Sequence, residues 1–204
     1  INVSLQGGWD AAGILTKADG SEQDRTLLFC YDDAINKKGG KTMENKEKMY
    51  QINVSAMEYQ KEWNILYTLA QDLQQSHIPF KVDGKTMIFA HGLEIPINKI
   101  CRTFKWNDEE DVKRFFQCDT AAKSTQSGFK YLDVMFDGMK IRCMFYGNCP
   151  GDDTDEFLYK NTDMVQIDQL SVPVQSLEFY YNNAEKDTEY YKMVEARLGK
   201  YERV

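Results

Sequence analysis

The chain has 204 residues, 42% of them hydrophobic and 13% aromatic, which is enough apolar surface to fold around one core and disfavours both disorder and two independent domains. A formal net charge of -7 argues against a general affinity for the phosphate backbone of nucleic acids. No run of about 18 apolar residues occurs, and the start Ile1 to Gly8 has no signal-peptide pattern, so the expectation is a cytoplasmic protein that does not enter membranes.

The elements follow in chain order. Residues 1–43 form an amino-terminal extension with one expected strand around Thr26 to Tyr31, and residues 44–204 form the main domain. From Met43 to His77 neither proline nor glycine interrupts the chain, and Met57, Trp63, Leu66, Leu69, Ala70 and Leu73 recur at helical spacing. This predicts one long helix or two in succession, ended by Pro79. Short strands are expected next: Phe80 to Asp83, a turn at Gly84, and the apolar run Thr86 to His91, whose period alone does not separate strand from helix. Between Ile97 and Trp106, Ile100, Phe104 and Trp106 share one face of a strand and Lys99, Cys101, Thr103 and Lys105 the other, which reads as a wet or functional side. Asn107 and Glu110 fit a capping box opening a helix from Asp108 to about Cys118.

Two strands, Phe129 to Phe136 and Met139 to Gly147, flank Asp137-Gly138, a dipeptide suited to a two-residue hairpin turn. A polar loop from Asn148 to Asp163 then leads to a strand, Met164 to Leu170. Pro173 opens a tyrosine-rich helical region, Val174 to Tyr201, with a break near Asn182-Asn183. The fold class is α+β.

The cysteines, Cys30, Cys101, Cys118, Cys143 and Cys149, include no CxxC pair and read as reduced thiols rather than a zinc or redox site. Asn2-Val3-Ser4 and Asn53-Val54-Ser55 match the glycosylation triplet, which matters only in a secreted chain. Gly39-Gly40-Lys41-Thr42 is no Walker loop, because Ile35 stands where the pattern needs glycine. His77 and His91 lack a sequence neighbour that would make either a catalytic base and read as structural. The run Gly151 to Glu156 lacks the spacing of a calcium loop. Tyr180, Tyr181, Tyr190, Tyr191 and Tyr201 read as packing for terminal helices.

Three passages resemble the nucleotidyltransferase fold, and more narrowly the small nucleotidyltransferases acting on lincosamides and aminoglycosides. Ile78 to Lys85 is similar to the segment entering that family's paired-glycine turn. Tyr131-Leu132-Asp133-Val134 or Ile141-Arg142-Cys143 matches its third acidic strand, and Val172 to Glu178 with Lys186-Asp187 its carboxy-terminal helical region. The resemblance implies a mixed sheet flanked by helices with a helical carboxy terminus. It also implies transfer of a nucleotidyl group from a nucleoside triphosphate to a small hydroxylated acceptor, with Mg2+ held by two carboxylates one residue apart on the strand after the turn.

The sequence departs from that pattern. Lys99, Cys101, Thr103 and Lys105 occupy the face that should carry the acids, and Lys85 replaces the second glycine. A degenerate member follows, with Mg2+ relevant only if catalysis survives. Asp133 is the candidate catalytic acid; Asp83, Gly84, Lys85, Lys99 and Lys105 are the candidate cofactor-binding residues. Lys85, Lys99, Lys105 and Arg142 read either as a pocket for a phosphate-bearing ligand or as ordinary solvated cations on an edge strand. Asp137 is accounted for by its turn. The alternative to an enzyme is a module that binds a nucleotide, an anion or a protein partner without reacting.

Overall fold

A computed structural model describes residues 50–147 and 152–199. The expected extension 1–43 with its strand, Cys30, Cys149, Tyr201 and the first part of the expected long helix lie outside the described residues. Among the described residues eight strands form one mixed sheet in the order β1-β7-β8-β2-β3-β6-β5-β4. They are β1 (Tyr50–Ile52), β2 (Lys81–Asp83), β3 (Lys99–Lys105), β4 (Lys123–Ser124), β5 (Lys130–Phe136), β6 (Met139–Tyr146), β7 (Thr162–Ile167) and β8 (Leu170–Gln175). The helices are α1 (Gln60–Gln75), α2 (Gly84–Ala90), α3 (Glu109–Phe115), α4 (Asp155–Leu158), α5 (Leu177–Asn183) and α6 (Glu189–Arg197). Strands β1/β7, β2/β8 and β3/β6 run parallel, and the other neighbours run antiparallel.

Register divides the sheet into two faces, since side chains alternate along each strand and paired residues share a side. One face carries Val165, Ile167, Val172, Val174, Val82, Ile100, Phe104, Ile141, Cys143 and Phe145, all buried in the main core. Helix α1 covers it through Trp63, Leu66, Leu69, Ala70 and Leu73, and the Trp63 ring stacks on Phe89 of α2 at 4.4 Å. Lys130, opposite Phe145, and Asp163, opposite Val174, share this face at its margins, and Arg102, beside Cys143, is the charged residue fully buried in it. Its guanidinium is fully buried, donates Nη2 to the Leu66 carbonyl at 2.9 Å and lies 4.6 Å over the Phe80 ring, but its Nε and Nη1 have no partner.

The structure corrects several expectations. Tyr50–Ile52 is not helical: pairing with β7 overrides local preference, and Asp168 fixes the strand's end by accepting the Val54 amide at 3.0 Å. Asn53 then caps a short 3-10 turn by accepting the Ser55 amide and hydroxyl, so this triplet has a local structural role. Helix α1 begins at Gln60, where Glu94 accepts the Glu58 and Tyr59 amides. It stops before Pro79, because His77 adopts φ 55° and the Ile78 and His77 amides close back on Leu73 and Gln74.

Thr86 to Ala90 belongs to α2. The capping box at Asn107 does not form: Asn107 sits in a 3-10 turn bonded to Asp153, and Glu110 pairs with Lys113. Pro173 does not open a helix; it lies inside β8 opposite Met164, and the helix starts at Leu177, capped by Ser176 accepting the Phe179 amide. The polar loop contains the short helix α4.

The hairpin is as expected, with Phe136 opposite Met139 and both turn residues at positive φ, 47° at Asp137 and 72° at Gly138. The terminal helical region breaks after Asn183.

Two stability outcomes follow. A Cβ at Gly138 would meet only the Lys61 amine at 3.7 Å, so the penalty of Gly138→Ala is conformational; urea titration should show a loss of about 1–2 kcal/mol with an unchanged slope. Replacing the buried charge by an apolar residue of similar length, Arg102→Met, should leave the urea midpoint unchanged or raise it, since the guanidinium has no carboxylate partner to repay its desolvation.

Candidate functional site

The second face of the sheet carries the polar groups. Paired register sets Lys81 opposite Thr103 and Asp83 opposite Cys101, then Cys101 beside Arg142 and Thr103 beside Met144, then Arg142 opposite Asp133. Where β2 and β3 meet β8, a small cleft open to solvent forms, with an enclosed volume of about 20 Å³. Lys81, Asp83, Thr103, Lys105 and Gln175 form its polar part; Tyr146, Phe157, Leu158 and Phe179 form an apolar wall contributed by β6, α4 and α5.

Asp83 organises the β2 end of the cleft. Its carboxylate accepts the Gly84 amide at 2.7 Å and the Thr103 hydroxyl at 2.9 Å, tying the start of α2 to β3. Gly84 has φ 59°, a conformation that glycine adopts without a Cβ clash, which accounts for the Asp-Gly pair in the sequence. Thr86 extends the same junction by accepting the Cys101 amide at 2.9 Å.

Lys81 is 2% exposed on the cleft floor. Its ammonium donates to the Lys160 carbonyl at 3.4 Å, and burial pulls its pKa down to about 8, against an upward pull from Asp83. Lys105 donates to Asp155 of α4 at 2.8 Å, and that bond holds its pKa above the usual lysine value. Asp153 beside it accepts from Asn107. Helix α4 is thus moored over one side of the cleft by two acid contacts.

The other sequence candidates lie elsewhere. Lys85 sits 4.8 Å over the Tyr190 ring, joining α2 to α6. Lys99 is on the cleft's face of the sheet but at the far end of β3, and its carbonyl accepts the Thr86 hydroxyl. Asp133 is on that face too, with β3 and β6 between it and β2. Its carboxylate takes two bonds from Arg142, at 2.7 and 2.8 Å, which hold its pKa below the ordinary carboxylate value. Cys101 is buried beneath Phe129, Tyr131 and Tyr146 beside Met144, and desolvation raises its thiol to about 11.

His91 is fully buried, with Nδ1 2.7 Å from the Met87 carbonyl and Nε2 3.2 Å from Asp163, a structural placement away from the cleft. Sequence reasoning passed over Lys81, although its position two residues before Asp83 on one strand places both on one face. Gln175 and the wall of Phe157 and Phe179 carried no signal in the sequence, because β8 and α4 were not foreseen.

The architecture has a counterpart among solved structures. The crystal structure described as that of "a putative nucleotidyltransferase (TM1012) from Thermotoga maritima" matches 72% of this chain and 93% of its own, with a TM-score of 0.50 and 18% identity. The fold is nucleotidyltransferase-like. No family model and no curated protein matches the sequence.

The metal that such a fold implies has poor accommodation here. A hard dication takes several oxygen ligands, carboxylates above all. On β3 the expected acid positions hold a thiol and a hydroxyl, Asp83 is already bonded twice, and two lysines line the same cleft. Among the described residues no group of three or more His, Cys, Asp or Glu side chains converges to hold an ion. The residues present do not fit a Mg2+ site. No helix among them is long and apolar enough to cross a membrane.

The buried amine gives a pH signature. Below about pH 8 Lys81 is charged in both states and its desolvation penalty is fully present. Between that value and the unfolded lysine value of about 10.4 the unfolded chain holds the extra proton, so stability rises with pH. Comparing wild type with Lys81→Met by urea unfolding from pH 7 to 10.5 should show a gain of about 3 kcal/mol in the wild type that the variant lacks.

Proposed function

We propose that this chain binds a nucleotide-type ligand in the cleft beside Asp83 and Gly84 and does not transfer a nucleotidyl group. The observation that carries this is the β3 face: at the two positions where the resemblance calls for carboxylates, Thr103 lines the cleft and donates to the one acid nearby, while Cys101 is a thiol turned into the packing under Phe129, Tyr131 and Tyr146. Metal-assisted transfer relies on a cation that neutralises charge on the reacting phosphoryl group and aligns the attacking hydroxyl. A cleft with lysines and a single engaged carboxylate supplies neither. It does supply ammonium groups for an anion and an aromatic wall for a planar base.

The second reading is transfer to a small hydroxylated acceptor such as a lincosamide or an aminoglycoside, supported by the three sequence passages; the likeness to the Thermotoga maritima structure supports the fold and no particular acceptor. This reading assigns Asp133 as the catalytic acid. Against it stands the bidentate engagement of Asp133 by Arg142, remote from Asp83 across two strands.

The test pairs a binding and a transfer measurement. Nucleotides bearing one to three phosphates should raise the unfolding temperature equally with EDTA or with magnesium, since a ligand of the native state stabilises by mass action. Labelled nucleoside triphosphates with magnesium and either class of antibiotic should give no product. Product that disappears in Asp133→Asn would establish the transferase reading instead, and no shift with any nucleotide would remove the binding claim.

A further inference from the structure

We propose that the cleft selects a nucleoside monophosphate and discriminates against triphosphates. This deepens the nucleotide-binding reading and rests on it. The argument is a balance of charge around a site without a metal. Two cations, Lys81 and Lys105, face the cleft, and Asp83 lines it with them. Lys105 is further surrounded by acids: Asp155 bonds it at 2.8 Å, and Asp153 and Asp108 lie close enough to favour its charged form. The carboxylates in and around the cleft therefore outnumber its ammonium groups.

A triphosphate brings several negative charges into that field. A conventional transferase offsets them with divalent metal, which these residues do not accommodate. A monophosphate brings at most two. One buried ammonium, Lys81, can meet that charge, while Gln175 and Thr103 offer hydrogen bonds alongside and Lys105 stays with Asp155. Opposite them Phe157, Leu158, Phe179 and Tyr146 offer the apolar contact that a nucleobase needs and a longer phosphate chain does not. Asp155 acts as a built-in competitor: it holds on Lys105 the place that a further phosphate would have to take.

The groups facing Lys81 set the pH dependence. Asp83 lies on its own strand, Thr103 and Lys105 on β3, Gln175 on β8, Tyr146 on β6, and the Lys160 carbonyl follows α4. Among these cations Lys81 loses its proton first, near pH 8. Monophosphate affinity should thus be highest between about pH 6, where the phosphate gains its second charge, and pH 8, and fall above it by up to about tenfold per pH unit.

Calorimetric titration of the full chain in EDTA with adenosine, its monophosphate and its triphosphate tests the proposal; the corresponding guanine, cytosine and uracil compounds cover base preference. The monophosphate should bind about tenfold or more tightly than either the nucleoside or the triphosphate. Lys81→Met should abolish the advantage over the nucleoside and flatten the pH profile. Asp155→Asn, an exposed change that leaves the core untouched, should narrow the gap to the triphosphate. Triphosphate binding equal to or tighter than monophosphate binding, or a gap indifferent to Asp155→Asn, would overturn the proposal while leaving nucleotide binding in place. Absence of binding by all compounds would remove both readings together.

Discussion

The register between β2, β3 and β6 is the constraint from which the rest of the molecule follows. It sets Val82, Ile100, Phe104, Ile141, Cys143 and Phe145 toward α1, and the same alternation puts Lys81, Asp83, Thr103 and Lys105 on the opposite side. A slip of one residue would carry the apolar set to solvent and the ammonium groups into the core, so the hydrophobic drive that fixes the core also fixes the cleft. The Asp83 to Thr103 bond then locks β2 to β3 where the chain turns into α2.

Much of this was legible in the residue pattern wherever period and turn chemistry agreed. Asp137-Gly138 determined its hairpin because the flanking strands alternate and the turn needs two positive φ angles. Along β3 the alternation of Ile100 and Phe104 against Lys99, Cys101, Thr103 and Lys105 was correct, but Trp106 falls in the following 3-10 turn, the second face is largely buried rather than wet because β3 lies between β2 and β6, and Arg102 joined the core side without a charge partner. Where pairing distant in sequence decided the outcome, local reading failed: Tyr50–Ile52 became a strand through β7, and Leu170–Gln175 became one despite Pro173. The candidate site shared that fate. Asp83 and Lys105 line the cleft, with Gly84 bonded to Asp83 behind it, whereas the wall opposite them comes from α4 and α5, elements whose positions depend on strands the sequence did not announce.

The contrast between Arg102 and Lys81 bears on how β3 and β2 hold polar groups under a dry sheet. Arg102 has one carbonyl and one ring to lean on, and desolvation pulls its pKa down. Lys81 is almost as buried but opens onto a cleft, where an entering anion can compensate its charge. One group is a standing liability of the core; the other becomes favourable once a ligand arrives, which places the adaptable charge at the site and the fixed one behind it.

The β4 end of the sheet adds a different consequence. Strand β4 is two residues long, both exposed, and one of them is Lys123. It presents almost no ladder for a second molecule to extend, and the ammonium group repels a similar strand approaching it. Its cover is short, however: β4 pairs with Lys130 and Tyr131 alone, and among the described residues no strand lies beside the rest of β5 on that side, so the protection reaches only the first two residues of that strand.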